Sequence, residues 1–312
     1  MKSASQYTLF STAFGIGCLI TIMITFNGRL AQEVSHAFSL LVIHIAGGSV
    51  VAAVLIIRRL IGRTSVPSGR RLPWYFWIGG GIGVVMVFGN NVCFAALGVS
   101  LTMAAGILGQ TAGSIIIDAT GFLGMSRYRF IRGKFIGLGI IVLGVLLMVD
   151  NWRFDGFFIL FAFAVGILTI VQMTINSQLA ASIGIIPGTG INYLGGFLAA
   201  LAGVLLTGTS LTSSFAQLPE VPLYLVLGGG FTGFIIVSGV NTILPKIPTF
   251  YSSLLIFLGQ ISAAVAADAL LLGIFSYQRL FASALILAGI AANLAADRMA
   301  SPAEAETSVS SQ

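Results

Sequence analysis

The stretch GQTAGSIIID at residues 109–118 recurs as GQISAAVAAD at residues 259–268, 150 positions further along the chain. In both copies an aspartate follows the glutamine of a Gly-Gln pair within a long apolar run. Further matches at offsets of 149 or 150 are Asn27 and Leu30 with Asn176 and Leu179, the glycines at 79–81 with those at 228–230, and Gly89 and Asn91 with Gly239 and Asn241. The chain is therefore an internal duplication, with predicted repeats at residues 1–150 and 151–300.

The composition excludes a soluble protein. Of the 312 residues, 57% are hydrophobic and 8% are charged, and the mean hydropathy is +1.04, which leaves too little polar surface to cover a core. A membrane-spanning helix needs about 20 mainly apolar residues. Ten runs qualify, at about residues 8–27, 36–57, 74–97, 101–122, 132–149, 156–175, 188–206, 222–244, 250–272 and 280–296. We predict an all-α integral membrane protein with five helices in each repeat.

The basic residues predict how these helices are oriented. With ten spans, twelve of the fifteen Lys and Arg residues fall on one side, which the positive-inside rule makes cytoplasmic. Both termini then lie in the cytoplasm. Because five is odd, the second repeat enters the membrane from the opposite face, so the repeats are inverted. We also expect residues 301–312, which are small, polar and acidic, to be a disordered cytoplasmic tail.

The sequence carries no pattern for an enzyme or a cofactor. It has no phosphate loop, nucleophile triad or metal-ligand spacing, and Cys18 and Cys93 lie apart in apolar runs. We expect no cofactor, no metal and no nucleic-acid partner. The expected partners are the lipid bilayer and a small-molecule substrate, and a homodimer is left open.

Polar side chains at membrane depth are the candidate functional residues, because the bilayer gives them no water to bond. Gln110 and Gln260 lie near the middle of the fourth and ninth predicted spans. They either line a substrate cavity or hydrogen-bond a neighbouring helix. Asp118 and Asp268 lie two turns further along, near opposite membrane surfaces. They are candidate gate or helix-cap groups, or carboxylates that are solvated or bound to a basic loop residue.

Four further residues complete the candidate substrate site: His44, Asn91, Asn241 and Gln172. The histidine either relays protons or donates to a backbone carbonyl. The amides either contact substrate or tie helices together, as do Asn90 and Asn192. Gln172 has only Met23 as its counterpart in the first repeat, so it would give the site an asymmetric wall. Asn27 and Asn176, at the predicted ends of spans one and six, are expected to cap those helices or to fix the following turn.

Ten helices from an inverted duplication, with Asn-x-x-Leu at residues 27–30 and 176–179 and the Gly-Gln and Asp pairs above, resemble the drug/metabolite transporter superfamily. The YdcZ-like branch is the most similar, and the resemblance covers about residues 8–298. It implies a bundle with pseudo-two-fold symmetry in the membrane plane, a central cavity and alternating access. The branch often occurs as single five-helix units, of which this chain looks like a fused form, related to EamA-like transporters.

These observations favour a secondary active transporter that moves a small metabolite or drug-like molecule across the cytoplasmic membrane of a bacterium. Inverted repeats independently favour a binding site near the bilayer midplane. Two alternatives remain from the sequence: a flippase or channel for a lipid-linked or ionic substrate, and a membrane scaffold that transports nothing. The sequence discloses neither the cargo nor the coupling ion.

Overall fold

The computed structural model describes residues 2–62, 73–121, 133–149, 152–243, 249–271, 273 and 276–309, and these form helices and short connections without a strand. The helices are α1 (Lys2–Glu33), α2 (His36–Leu60), α3 (Gly79–Thr120), α4 (Lys134–Leu147), α5 (Trp152–Ile183), α6 (Ile185–Leu206), α7 (Leu211–Gln217), α8 (Leu223–Ile243), α9 (Thr249–Leu271) and α10 (Tyr277–Val309). The predicted all-helical class is confirmed. Seven of the fifteen Lys and Arg residues that predict the orientation lie outside the described ranges.

Seven stretches of the described chain are long and apolar enough to cross a membrane, and two shorter apolar helices cover Lys134–Leu147 and Leu254–Leu270. One of the seven, Trp74–Ile117, has 44 residues. At 1.5 Å per residue it measures about 66 Å, roughly twice the thickness of a hydrocarbon core. The chain is thus a multi-pass membrane protein, and the count of ten spans depends on how α3 is divided.

Helix α3 is broken at Gly98, where the backbone has φ 74° and ψ −174°. Only glycine adopts such a conformation without strain, so the sequence places the break at this residue. The two segments cover residues 79–97 and 99–120, close to the third and fourth predicted spans. Pro73 and a 3₁₀ turn at Trp74–Phe76 precede the first segment.

The chain forms two compact units, and each unit draws on both sequence repeats. Unit 1 comprises Met1–Cys18, Val99–Ile167 and Leu244–Gln312, and unit 2 comprises Leu19–Gly98 and Leu168–Ile243. The polypeptide passes between them four times: within α1, at the break in α3, within α5 and after Ile243. These spatial units are not the predicted repeats, whose boundaries near residue 150 remain a prediction.

Unit 1 contains two close helix crossings at glycine. A methyl group on Gly259 of α9 would collide with the carbonyl oxygen of Phe14 and lie 3.1 Å from the Cα of Gly17 on α1. A methyl group on Gly109 of α3 would collide with the carbonyl oxygen of Phe163 and lie 3.1 Å from the Cα of Gly166 on α5. These glycine pairs are counterparts in the duplication, so exchanging the repeats converts one crossing into the other.

Unit 2 contains a second reciprocal pair of crossings. Gly80 of α3 lies against the backbone of Gly196 on α6, and Gly230 of α8 lies against the backbone of Gly47 on α2. These contacts match Gly80 with Gly230, an offset of 150, whereas the sequence matched the glycines at 79–81 with 228–230. Because Gly47 matches Gly196 at 149, the extra residue of the second repeat lies between residues 197 and 229.

Helices α4 and α10 pack against each other within unit 1. Gly137 of α4 lies against the carbonyl oxygen of Gly289 and the side chain of Asn293, and Gly144 lies against Ile286. Ile141 and Ile286 in this interface are fully buried. Small residues thus permit close approach here as well, which is the usual way helices pack in lipid.

The C-terminal prediction differs from the structure. Helix α10 continues to Val309, so residues 301–309 are helical, where the sequence predicted a disordered tail over 301–312. The segment contains Ala303, Glu304, Ala305 and Glu306, and alanine and glutamate are strong helix formers that extend an existing helix readily. Residues 310–312 lie outside the described chain.

The glycine crossing of α1 with α9 gives a test of packing. Replacing Gly17 with Ala should lower stability by about 1–3 kcal/mol, because the added methyl meets the carbonyl oxygen of Ile256. Replacing Gly15 with Ala is the matched control, because nothing lies within 4 Å of its methyl position on the same helix. Thermal unfolding in detergent should show a lower Tm for Gly17→Ala alone. Equal Tm values for the two variants would contradict the crossing.

Candidate functional site

The structure distributes the predicted site residues over the two units. Gln110, Gln260, Asp118 and Asp268 belong to unit 1, and His44, Asn91, Gln172 and Asn241 belong to unit 2. Asp118 lies in the last turns of α3 and Asn241 in the last turn of α8, and the side chains of both lie outside the described part of the chain.

In each of the two Gly-Gln pairs, the glycine lies at a close helix crossing. Gly109 and Gly259 form the contacts with α5 and α1 described above, a role that the sequence did not assign to them. The repetition of glycine beside glutamine was the signal for it. Gln260 is only 2% exposed, whereas Gln110 is half-buried. Each glutamine therefore emerges next to a fixed backbone crossing, which restricts where its amide can reach.

Asp268 caps the second segment of α3. Its carboxylate oxygens accept the backbone N–H groups of Val99, at 2.7 Å, and Ser100, at 2.9 Å. The Arg279 guanidinium lies 3.2 Å from one of these oxygens, and both side chains are buried. Ending the first segment at Gly98 frees the N–H groups of the next turn, and a carboxylate at a helix N-terminus satisfies them favourably. Of the expected roles, this geometry is that of a helix cap paired with a basic residue.

His44 lies in the crossing of α2 with α6. Its Nδ1 is 2.7 Å from the Leu40 carbonyl oxygen, so Nδ1 carries the proton and donates it. The ring packs against Gly196, while the ring of Tyr193, its counterpart in the second repeat, packs against Gly47. The two ring centres are 6.0 Å apart. Of the two roles expected for His44, the structure shows the hydrogen bond from its ring to a backbone carbonyl.

Two predicted amides lie in the interior of unit 2. Gln172 of α5 donates from Nε2 to the Gly79 carbonyl oxygen, at 3.1 Å, and lies against Gly83. Asn91 of α3 is fully buried, and neither atom of its amide has a hydrogen-bond partner among the described residues. The first amide therefore ties α5 to α3, and the second offers both a donor and an acceptor.

The Asn-x-x-Leu sequences have a different role from the one predicted. Asn27 and Asn176 are not helix caps, because α1 continues to Glu33 and α5 to Ile183. Instead the Asn27 Oδ1 presses on Gly229 and the Asn176 Oδ1 faces Gly79. The leucines, Leu30 and Leu179, are 0% and 1% exposed. Predicted span ends fell too early here because α1 and α5 extend beyond the apolar windows.

Comparison with known proteins identifies the family. The family model described as "Putative inner membrane exporter, YdcZ" matches the chain twice, over residues 8–147 and 157–295. The chain belongs to the YdcZ family. The double match confirms the resemblance to this branch of the drug/metabolite transporter superfamily and makes the chain a multi-pass inner-membrane transport protein.

Two further comparisons accompany this match. A solved structure described only as "Crystal structure of protein" is 16% identical, covers 95% of this chain and 99% of its own, and has a TM-score of 0.57. At that identity it supports the YdcZ-family chain's fold alone. A search of curated proteins gives no match.

Unit 2 of this YdcZ-family chain also contains a cavity of about 860 Å³. It is bordered by α2, α7, α8 and the side chain of Phe26, and its lining is mainly apolar. Phe26 and Tyr224 meet edge to face there, with ring centres 5.7 Å apart. None of the eight predicted site residues lines this cavity.

The capping role of Asp268 predicts a large loss of stability on substitution. Asp268→Asn should destabilise the protein by about 3–5 kcal/mol, because it leaves Arg279 buried without its carboxylate and weakens the cap. Glu33→Gln, at an exposed carboxylate at the end of α1, should change stability by less than about 0.5 kcal/mol. Tm values in detergent measure both. An Asp268→Asn protein as stable as the Glu33→Gln protein would show that Asp268 does not stabilise the start of the second α3 segment.

Proposed function

We propose that this YdcZ-family chain is a secondary active transporter that moves a small neutral or zwitterionic metabolite across the inner membrane by alternating access. The observation that carries the proposal is the reciprocity of the glycine crossings. Gly17 with Gly259 and Gly166 with Gly109 join opposite repeats through equivalent contacts, as do Gly80 with Gly196 and Gly230 with Gly47. A protein whose contacts exchange under a two-fold operation has two equivalent ways to open, one towards each side of the membrane.

The proposed topology has ten helices. The break at Gly98 divides α3 into the third and fourth spans, and α4 and α9 supply the fifth and ninth. Five spans in each repeat then require inverted insertion, with both termini in the cytoplasm. The family description supports outward transport of the cargo.

We further propose that the six amide and imidazole residues predicted from the sequence either contact the substrate or position the helices that contact it, each within its own unit. Gln110 and Gln260 do so in unit 1, beside their glycine crossings. His44 acts in unit 2 by fixing the α2 and α6 crossing, since its Nδ1 is bonded to Leu40. Asp268 stabilises the break in α3 and so holds the start of the fourth span, and Asp118 is its proposed counterpart in the first repeat.

One observation favours a second candidate function. The apolar cavity of unit 2, lined in part by Phe26, Phe215, Tyr224 and Phe231, suits an amphiphile better than a polar metabolite. A lipid-linked cargo would make the chain a flippase. Lipid scrambling in protein-containing liposomes, together with silence in metabolite assays, would support this alternative.

Removal of both central glutamines tests the proposed transport. A thermal-shift screen of metabolites at pH 6 and pH 8 first finds a ligand, because binding to the folded state raises Tm by linkage. In proteoliposomes, Gln110→Ala combined with Gln260→Ala should reduce uptake of that ligand at least tenfold. The exposed Gln217→Ala should leave uptake unchanged.

One outcome would contradict the transport proposal, and another would contradict the role of the glutamines. The first is that no ligand from the screen crosses proteoliposomes faster than protein-free liposomes. The second is that the double variant transports as fast as the native chain while retaining the native Tm, which would remove the glutamines from the proposed site.

A further inference from the structure

Three amide side chains surround the first turn of α3 in unit 2. A methyl group on Gly79 would lie 3.3 Å from the Asn176 Oδ1 and 3.8 Å from the Asn192 Oδ1, so both oxygens face one point. Gln172 donates to the Gly79 carbonyl oxygen at 3.1 Å. Gln172 and Asn176 come from α5, and Asn192 comes from α6. We call these three residues the amide cluster.

Two oxygens of the amide cluster lack a hydrogen-bond donor. The Oδ1 atoms of Asn176 and Asn192 are buried and have no partner among the described residues. A buried carbonyl oxygen without a donor is unfavourable, and in a membrane protein such groups usually mark a functional site. The cluster therefore presents two acceptors, close together, to any group that can donate to them.

The other repeat shows which part of the cluster the framework needs. At the equivalent positions it carries Met23, Asn27 and Ile43, next to Gly229, Gly230 and Gly233. Its asparagine makes the same contact with a glycine, since the Asn27 Oδ1 presses on Gly229. The asparagine therefore belongs to the shared packing of both repeats. Gln172 and Asn192 occur in the second repeat only. At the equivalent positions the first repeat packs with methionine and isoleucine.

The electrostatics of the cluster select the chemistry of a ligand. The charged residues of the described part of unit 2 are Arg29, Glu33, Arg58, Arg59 and Glu220, which lie towards the ends of α1 and α2 or just before α8. None lies on α5, α6 or the first segment of α3 in this unit. A charged group would thus lack a counter-ion, and the positive N-terminus of α3 disfavours a cation beside it. The ligand group that the cluster favours is therefore an uncharged hydrogen-bond donor.

We propose that the amide cluster binds an uncharged group that donates hydrogen bonds, a carboxamide or a hydroxyl, on the molecule that this chain transports. The proposal rests on the proposed function. In the proposed topology the start of α3 lies near the cytoplasmic side, and the apolar counterpart with Met23 and Ile43 lies near the outer side. Cargo is therefore recognised through two acceptors at the cytoplasmic entrance, whereas the counterpart on the exit side retains only one of them, the Asn27 Oδ1.

The test uses three probes of nearly equal size that differ in charge: benzamide, benzylamine and benzoate. Binding to the purified full-length chain in detergent is measured by calorimetry and thermal shift at neutral pH, where benzylamine is a cation and benzoate an anion. Benzamide should bind more tightly than either charged probe. Its affinity should fall about tenfold in Asn192→Ile, the change expected for one lost buried hydrogen bond. It should also fall in Gln172→Met, which removes the hydrogen bond that holds Gly79 beside the two acceptors.

The two substitutions introduce the residues that the other repeat already carries, so both variants should fold. Without ligand, Asn192→Ile should keep the native Tm, and Gln172→Met should lose no more than one hydrogen bond to Gly79 costs, about 1 kcal/mol. Asn293→Ala is the matched control, because Asn293 is a buried amide of unit 1 whose atoms also lack partners among the described residues. It should leave benzamide affinity unchanged. Absence of benzamide binding, tighter binding of a charged probe, or equal affinity in the native chain and both cluster variants would overturn the site.

Transport measurements separate failure of the site from failure of the proposed function. If a ligand crosses proteoliposomes in the native chain and equally fast in both cluster variants, the site is wrong and the transporter stands. If benzamide binds through the cluster but the native chain moves no ligand, the site stands and the transport proposal fails.

Discussion

Backbone contact at glycine is the interaction on which the rest of this structure depends. In lipid, helices gain little from hiding apolar side chains, because the surrounding chains are equally apolar, so association relies on close packing. Gly17, Gly109, Gly166 and Gly259 bring backbones so near that a single methyl group would meet a carbonyl oxygen. Such crossings fix the helices and, through them, the amides and the carboxylate on the same turns.

The second constraint is satisfaction of polar groups away from water. Breaking α3 at Gly98 exposes N–H groups that the bilayer cannot bond, and the Asp268 carboxylate satisfies two of them while Arg279 balances its charge. The structure thus contains a stable break within a long apolar helix. Where polar atoms remain without partners, as at Asn176 and Asn192, the molecule offers hydrogen bonds to something else.

Much of the fold could be predicted from the sequence, and much of the site could not. Apolar run length and the repeated Gly-Gln and Asn-x-x-Leu segments indicate the helices and the duplication, because both follow from local composition. The partners of side chains depend on which helices become neighbours. The sequence predicts that Asp268 lies near a membrane surface, either solvated or bound to a basic loop residue that it does not specify, and the partner in the structure is Arg279, eleven positions along the chain. The fall in hydropathy at residue 27 predicts a helix end at Asn27, although α1 continues beyond it to Glu33. The Asn192 oxygen becomes a candidate binding group only because the fold brings Gly79 next to it.

The central claim is that the two five-helix repeats insert into the membrane in opposite directions. Trp74 and Tyr224 are equivalent positions at the starts of the third and eighth spans, and they are 75% and 56% exposed. We would introduce single cysteines there, by Trp74→Cys and Tyr224→Cys in a chain with Cys18 and Cys93 replaced by alanine, and measure labelling by an impermeant thiol reagent in oriented membrane vesicles. The account predicts that residue 74 is labelled only from the cytoplasmic side and residue 224 only from the outer side. Labelling of both from the same side would contradict the inverted duplication.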